Sequence, residues 1–133
     1  MTARELVIPK GMQNQYEEWQ IAPGLRVGDT LYCSGQIGFA ADGSLPSDPE
    51  TQFVNAFEAV GTILQEAGGG FEDVVEISSF HVGLVAHMDL FTRVRERYIG
   101  KPFPAETAVG VAELGIPGAL VEIRAIAVFG ARS

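Results

Sequence analysis

Between Ser47 and Gly70 the chain carries a pattern that an amphipathic helix satisfies and little else does. Phe53, Ala56, Phe57, Val60, Ile63, Leu64 and Ala67 recur at steps of three and four. That spacing draws one apolar stripe along a helix of about 18 residues. Ser47 and Glu50 read as an S-x-x-E capping box, with Pro49 in the first turn, where its missing N–H costs little. Gly68-Gly69-Gly70 ends the helix, because glycine enters the left-handed cap conformation without a Cβ clash. A stripe of that length has to be buried, and the rest of the chain must supply the surface that buries it.

The remaining segments supply a sheet. Leu6–Ile8, Gly24–Val27, Thr30–Gln36, Val74–Leu84, Thr107–Leu114 and Leu120–Phe129 are rich in Val, Ile, Phe and Tyr and read as strands. Gly28-Asp29 is the turn that folds the second and third into a hairpin. A second helix is expected from about His87 to Tyr98, where Met88, Phe91, Val94 and Tyr98 share a face. The order βββ-α-β-α-ββ predicts an α/β (α+β) chain: a six-stranded mixed sheet with both helices packed on one face. With 133 residues, no linker and no internal repeat, one domain over residues 1–133 is expected.

The last strand says what happens on the other face. Ala119, Val121, Ile123, Ala125 and Ala127 alternate with Leu120, Glu122, Arg124, Ile126 and Val128. Two helices cover one face of such a sheet, so the apolar members of the second face call for a partner subunit. Charge narrows the choice of other partners. The net charge is -8, and the basic residues are scattered. Nucleic acid, which needs a cluster of Lys and Arg against phosphates, is therefore not an expected partner. No apolar run reaches the ~18 residues of a membrane span, and the first residues lack the apolar core of a signal peptide. A single cysteine, Cys33, suits a reducing compartment, so the expected location is cytoplasmic.

Five short motifs then fall in order. They are Cys33-Ser34-Gly35-Gln36-Ile37, Gln65-Glu66-Ala67-Gly68, Phe71-Glu72-Asp73-Val74-Val75, Pro104-Ala105-x-Thr107-x-Val109-x-Val111, and Leu120 to Val128. Together they resemble the RidA/YjgF family of imine deaminases over roughly Gly24 to Val128. The resemblance implies a chorismate-mutase-like fold and a homotrimer with small-molecule clefts between subunits. It implies cofactor-free hydrolysis of enamines and imines to 2-oxo acids and ammonia. In that chemistry an arginine grips the substrate carboxylate and a glutamate positions the water.

Carried onto this chain, the resemblance makes Glu122 the glutamate and retains Ser34 and Gly35. The arginine directly after Pro-Ala is replaced by Glu106. Ile21 stands where the family has a tyrosine, leaving Trp19 or Tyr16 as the nearest rings, and Arg95 stands at a frequent asparagine position. If Glu106 and Glu122 line one cavity, a simple 2-imino acid is disfavoured unless Arg95 offsets them.

The candidate residues each have a plainer role as well. Glu122 either pairs with Arg124 on its own face or positions water. Glu106 is a rim charge, an ion-pair partner of Arg95 or part of the site. His81, in the middle of a strand, is a satisfied structural group or a general acid–base with an unperturbed pKa near 6.5. His87 reads as a surface or capping residue, and Cys33 as core. Ser34 lacks the surroundings of a nucleophile. The histidines and the cysteine show no zinc spacing, so no metal is expected, and the resemblance implies that no cofactor is needed. Two functions remain: hydrolysis or deamination of a small imine, enamine or related compound in the cleft, or non-catalytic binding of a small molecule there. Ribonuclease activity finds little support in an acidic chain without a paired-histidine site.

Overall fold

In the computed structural model, residues 3–130 are described. The strands are β1 (Arg4–Val7), β2 (Gly24–Val27), β3 (Thr30–Ile37), β4 (Val74–His81), β5 (Ala105–Gly110) and β6 (Val121–Val128). The helices are α1 (Gln13–Glu17), α2 (Pro49–Glu66) and α3 (Leu84–Arg95), with a short 3-10 turn at Phe71–Asp73. One six-stranded sheet runs in the order β1-β2-β3-β6-β4-β5. Within it β4 and β5 pair in parallel, joined across α3, and the other neighbours are antiparallel. The expected mixed sheet and its element order are present, with α1 added before β2.

The long helix forms where its periodicity puts it. Phe53, Ala56, Phe57, Val60, Ile63 and Leu64 are all buried and make the centre of the core. Its start differs from the expected Ser47–Glu50 box. Asp48 is the cap, and its carboxylate accepts from the Thr51 N–H at 3.0 Å and the Thr51 hydroxyl at 2.6 Å. The reason is Pro49. A proline forces the preceding residue into extended backbone, so the cap must sit directly before it, and Asp48 (φ −73°, ψ 122°) does. Glu50, freed from capping, pairs with Arg97 at 3.2 Å. At the other end Gly68 takes φ +90°, Gly68 N–H donates to Gln65 and Gly69 N–H to Leu64. That is a Schellman cap.

The second helix begins a turn earlier than expected, at Leu84 rather than His87, and β4 stops at His81. Gly83, at φ +78°, breaks the strand and opens the helix. The fifth strand is also earlier than expected, since residues 111–120 form a loop.

On β6 the alternation holds residue by residue. Val121, Ile123, Ala125 and Ala127 are buried under the helices, while Glu122, Arg124, Ile126 and Val128 are half-buried on the open face. Tyr32 and Val109, 44% and 39% exposed, share that face through their pairing with Ile126 and Phe80. Cys33 lies on the covered face, 1% exposed, as its alternation with Ser34 predicts. Burial pushes its thiol up to about 12, against a smaller opposing pull from Arg124.

Candidate functional site

A single extra residue in β3 builds the site. Cys33 stands opposite Ala125, yet Gln36 stands opposite Ile123, so three steps on β3 match two on β6. The resulting bulge lies at Ser34-Gly35. It turns Gln36 inward, 3% exposed, and sets Ile37 opposite Glu122 on the open face. Ser34 is anchored there: its hydroxyl donates to the Ala22 carbonyl at 2.6 Å, and its N–H donates to Pro23 at 2.9 Å. Gly35 leaves the space that Glu122 fills. A Cβ on Gly35 would lie 2.5 Å from the Glu122 Oε2 and 2.7 Å from its Cγ.

The carboxylate faces a cavity of about 250 Å³ lined by Gln15, Trp19, Ile21, Gly35, Gln36, Ile37, Phe39, Gly115, Ile116 and Glu122. Among the described residues, Glu122 is the only charged side chain in that lining. Among them it also has no ion-pair partner, and Arg124, expected as a possible partner, does not reach it. The segment around α1 closes the outer side. Gln15 and Gln36 exchange amide hydrogen bonds at 3.1 and 3.2 Å, and Ile21 N–H donates to the Gln15 carbonyl at 2.9 Å. Trp19 tilts against Phe39 with ring centroids 6.1 Å apart. Of the two candidate rings, Trp19 lines the cavity and Tyr16 does not; Ile21 lines it too. A larger adjoining hollow of about 550 Å³ shares the Gln15, Trp19, Gln36, Ile37 and Phe39 wall.

The other candidates stand elsewhere. Glu106 pairs with Ile77 across β4–β5, and Ile77 is a core residue of the covered face. Strand alternation therefore puts Glu106 on the helix side, and Arg95 of α3 meets it with Nε 2.5 Å from Oε1. Within a single chain, then, Glu106 and Glu122 stand on opposite faces of the sheet. Arg95 does not line that cavity in the single chain.

His81 also lies on the covered face, opposite Val121, and is 0% exposed. It is not a lone histidine. Its Nδ1 lies 3.0 Å from His87 Nε2, and its Nε2 lies 2.8 Å from the buried Ser79 hydroxyl. Phe91 packs edge-on against it at 4.5 Å. Burial, with His87 beside it, pushes the His81 pKa down to about 4, and burial lowers His87 as well. His87, expected at the surface, is drawn inward because α3 starts early and puts it on the face of Phe91. The pair is thus an internally satisfied chain on the sheet face opposite Glu122. Among the described residues no group of three or more His, Cys, Asp or Glu could hold a metal ion.

The chain and its fold have counterparts among known proteins. The model of the family described as endoribonuclease L-PSP matches residues 14–129. The chain belongs to that family. It is the RidA/YjgF family that the motifs resemble. The RutC family protein YjgH of Escherichia coli K12 is 35% identical over 128 residues, 96% of each chain. A protein of Dermatophagoides farinae named 2-iminobutanoate/2-iminopropanoate deaminase is 32% identical, over 78% of this chain and 81% of its own. A solved structure of a protein named YJGH superposes with a TM-score of 0.84 at 34% identity, covering 94% of this chain and 95% of that one. The mixed sheet with its helices on one side is the family fold. Of the residues singled out in the sequence, Glu122, Gly35 and Trp19 line this cavity, and Ser34 lies in the bulge beside it. Gln15, from the short α1, and Phe39 and Ile116, from irregular segments, also line it, and none of these three segments carries a periodic signal in the sequence.

Proposed function

We propose that this chain hydrolyses a small imine or enamine without a cofactor, with Glu122 as the residue that positions and deprotonates water. The observation that carries this reading is the Glu122 carboxylate, unpaired among the described residues and set over Gly35 in a cavity of about 250 Å³. An unpaired carboxylate among apolar side chains is costly unless water or a ligand meets it. A carboxylate so placed accepts a proton from water as the oxygen attacks the C=N carbon. The tetrahedral adduct then collapses to a carbonyl compound and ammonia. The relative named as an iminobutanoate/iminopropanoate deaminase supports the reaction class.

Ser34 and Gly35 shape the floor by holding the bulge, and Trp19 forms a wall. Glu106 and Arg95 reach a cavity only if another copy brings them. β5 ends the sheet, and the open face still shows Tyr32 and Val109. The proposal therefore includes a homotrimer with its clefts between subunits, in the cytoplasm. Light scattering at micromolar protein should give three times the chain mass, and a monomer mass would overturn the assembly. No helix among the described residues is long and apolar enough to cross a membrane. The family's ribonuclease description fits this chain poorly, since its net charge is -8 and His81 is fully buried.

Non-catalytic binding in the same cavity is the second reading, favoured by the absence of a cation among the described lining residues. Ammonia release from freshly generated imines decides between them. Glu122→Gln should lose about 100-fold or more of the wild-type rate. A wild-type rate no faster than buffer would leave only the binding reading.

A further inference from the structure

We infer that the cavity selects a cationic substrate, a protonated imine (an iminium ion) without a carboxylate. The inference rests on the reading of this cavity as the site of C=N hydrolysis. It deepens that reading by naming the charge class.

The lining is the argument. One charged group, Glu122, faces a volume otherwise walled by Trp19, Phe39, Ile21, Ile37 and Ile116. Arg124, two residues along the same face, lines none of it, and Arg95 is held by Glu106 on the opposite face. A carboxylate ligand would enter against a like charge, with no cation among the described residues of this lining to receive it. A cation meets the reverse conditions. Glu122 supplies the opposite charge, and the indole face of Trp19 attracts an ammonium or iminium group through its ring quadrupole. The reciprocal Gln15–Gln36 amide pair adds neutral dipoles to the wall.

The chemistry closes on such a substrate. The iminium carbon gains the oxygen of water, Glu122 takes one water proton, and the C–N bond of the adduct breaks. The carboxyl proton and the remaining hydroxyl proton are redistributed as ammonium leaves. One iminium ion and one water thus give one neutral carbonyl compound and one ammonium ion, with no change of oxidation state. Charge is conserved from substrate to product, so Glu122 meets a cation at both ends.

Trp19 is the single tryptophan of the chain, so its fluorescence reports on this cavity directly. We would titrate the full-length protein at pH 7.5 and fixed ionic strength with benzylammonium chloride, benzyl alcohol and sodium phenylacetate. These probes share a ring and differ in charge. Benzylammonium should bind at least tenfold more tightly than phenylacetate, with the alcohol between them, and Glu122→Gln should collapse the order. Equal affinities, tighter binding of phenylacetate, or no saturable response to benzylammonium would overturn the inference. An order of affinities kept in Glu122→Gln would overturn it too. Selective cation binding without any hydrolysis would instead uphold the charge class and refute the catalytic reading, so the two failures are distinct.

Discussion

On the covered side of β4, His81 commits both ring nitrogens to protein partners, His87 and Ser79, and is sealed by Phe91. Across the same sheet, Glu122 of β6 has no partner among the described residues and faces a hollow that a small molecule can fill. Both are residue types that carry chemistry, and both sit on strands of one sheet. The difference lies in what completes them. A histidine whose hydrogen bonds close within the core contributes to folding, whereas a carboxylate left open in a cavity awaits something from outside.

The contrast can be broken most forcefully at His81. Replacing His81 by Ala removes a fully buried ring and leaves Ser79 and His87 short of a partner. A loss on the order of 3 kcal/mol in denaturant unfolding is expected. A loss below about 1 kcal/mol would show that the chain of hydrogen bonds is dispensable.

Acid tests the same group without mutation. The folded-state pKa of His81 is pushed down to about 4, below the ordinary histidine value of 6.5. Between those values the unfolded chain binds the proton and the folded one resists it. Stability from this group is therefore complete above pH 6.5 and falls as pH drops toward 4, by about 1.4 kcal/mol per unit at most. An unfolding free energy flat between pH 6.5 and 4.5 would contradict the assignment, as would one that His81→Gln leaves equally steep.

How much of this was legible beforehand follows from what each signal depends on. The α2 stripe was plain because helical periodicity is local and its glycines mark the stop. The β6 alternation gave both sheet faces and put Glu122 on the open one. The bulge was hidden, since simple alternation in Cys33-Ser34-Gly35-Gln36 places Gln36 with Ser34. Only its pairing with Ile123 turns it inward. The His81–His87 contact was hidden for a related reason: it depends on Gly83 starting α3 early. The short α1 buries none of its residues and has no side-chain cap, so nothing in its composition announces it. The family motifs singled out Glu122 as the candidate carboxylate. They could not show that Glu106 stands on the other face, which is a matter of register.

A smaller effect sharpens the contrast from the side of the cavity. Gly35→Ala puts a Cβ where the Glu122 carboxylate now lies, 2.5 Å from Oε2. The glutamate must swing away, so the hydrolytic rate should fall by about tenfold or more, while stability drops by about 1–2 kcal/mol. A crystal structure of this variant with Glu122 unmoved would remove Gly35 from the account.

The smallest expected change in stability tests the account most directly. Unfolding of Glu122→Gln should be compared with wild type at pH 7.5, in the same denaturant series as His81→Ala. If Glu122 serves a ligand and not the fold, its neutral isostere should unfold within about 0.5 kcal/mol of wild type, or later, because no interaction within the chain is lost. A destabilisation of about 2 kcal/mol or more would mean that the carboxylate has a structural partner after all, and that the open face and the covered face are built on the same terms.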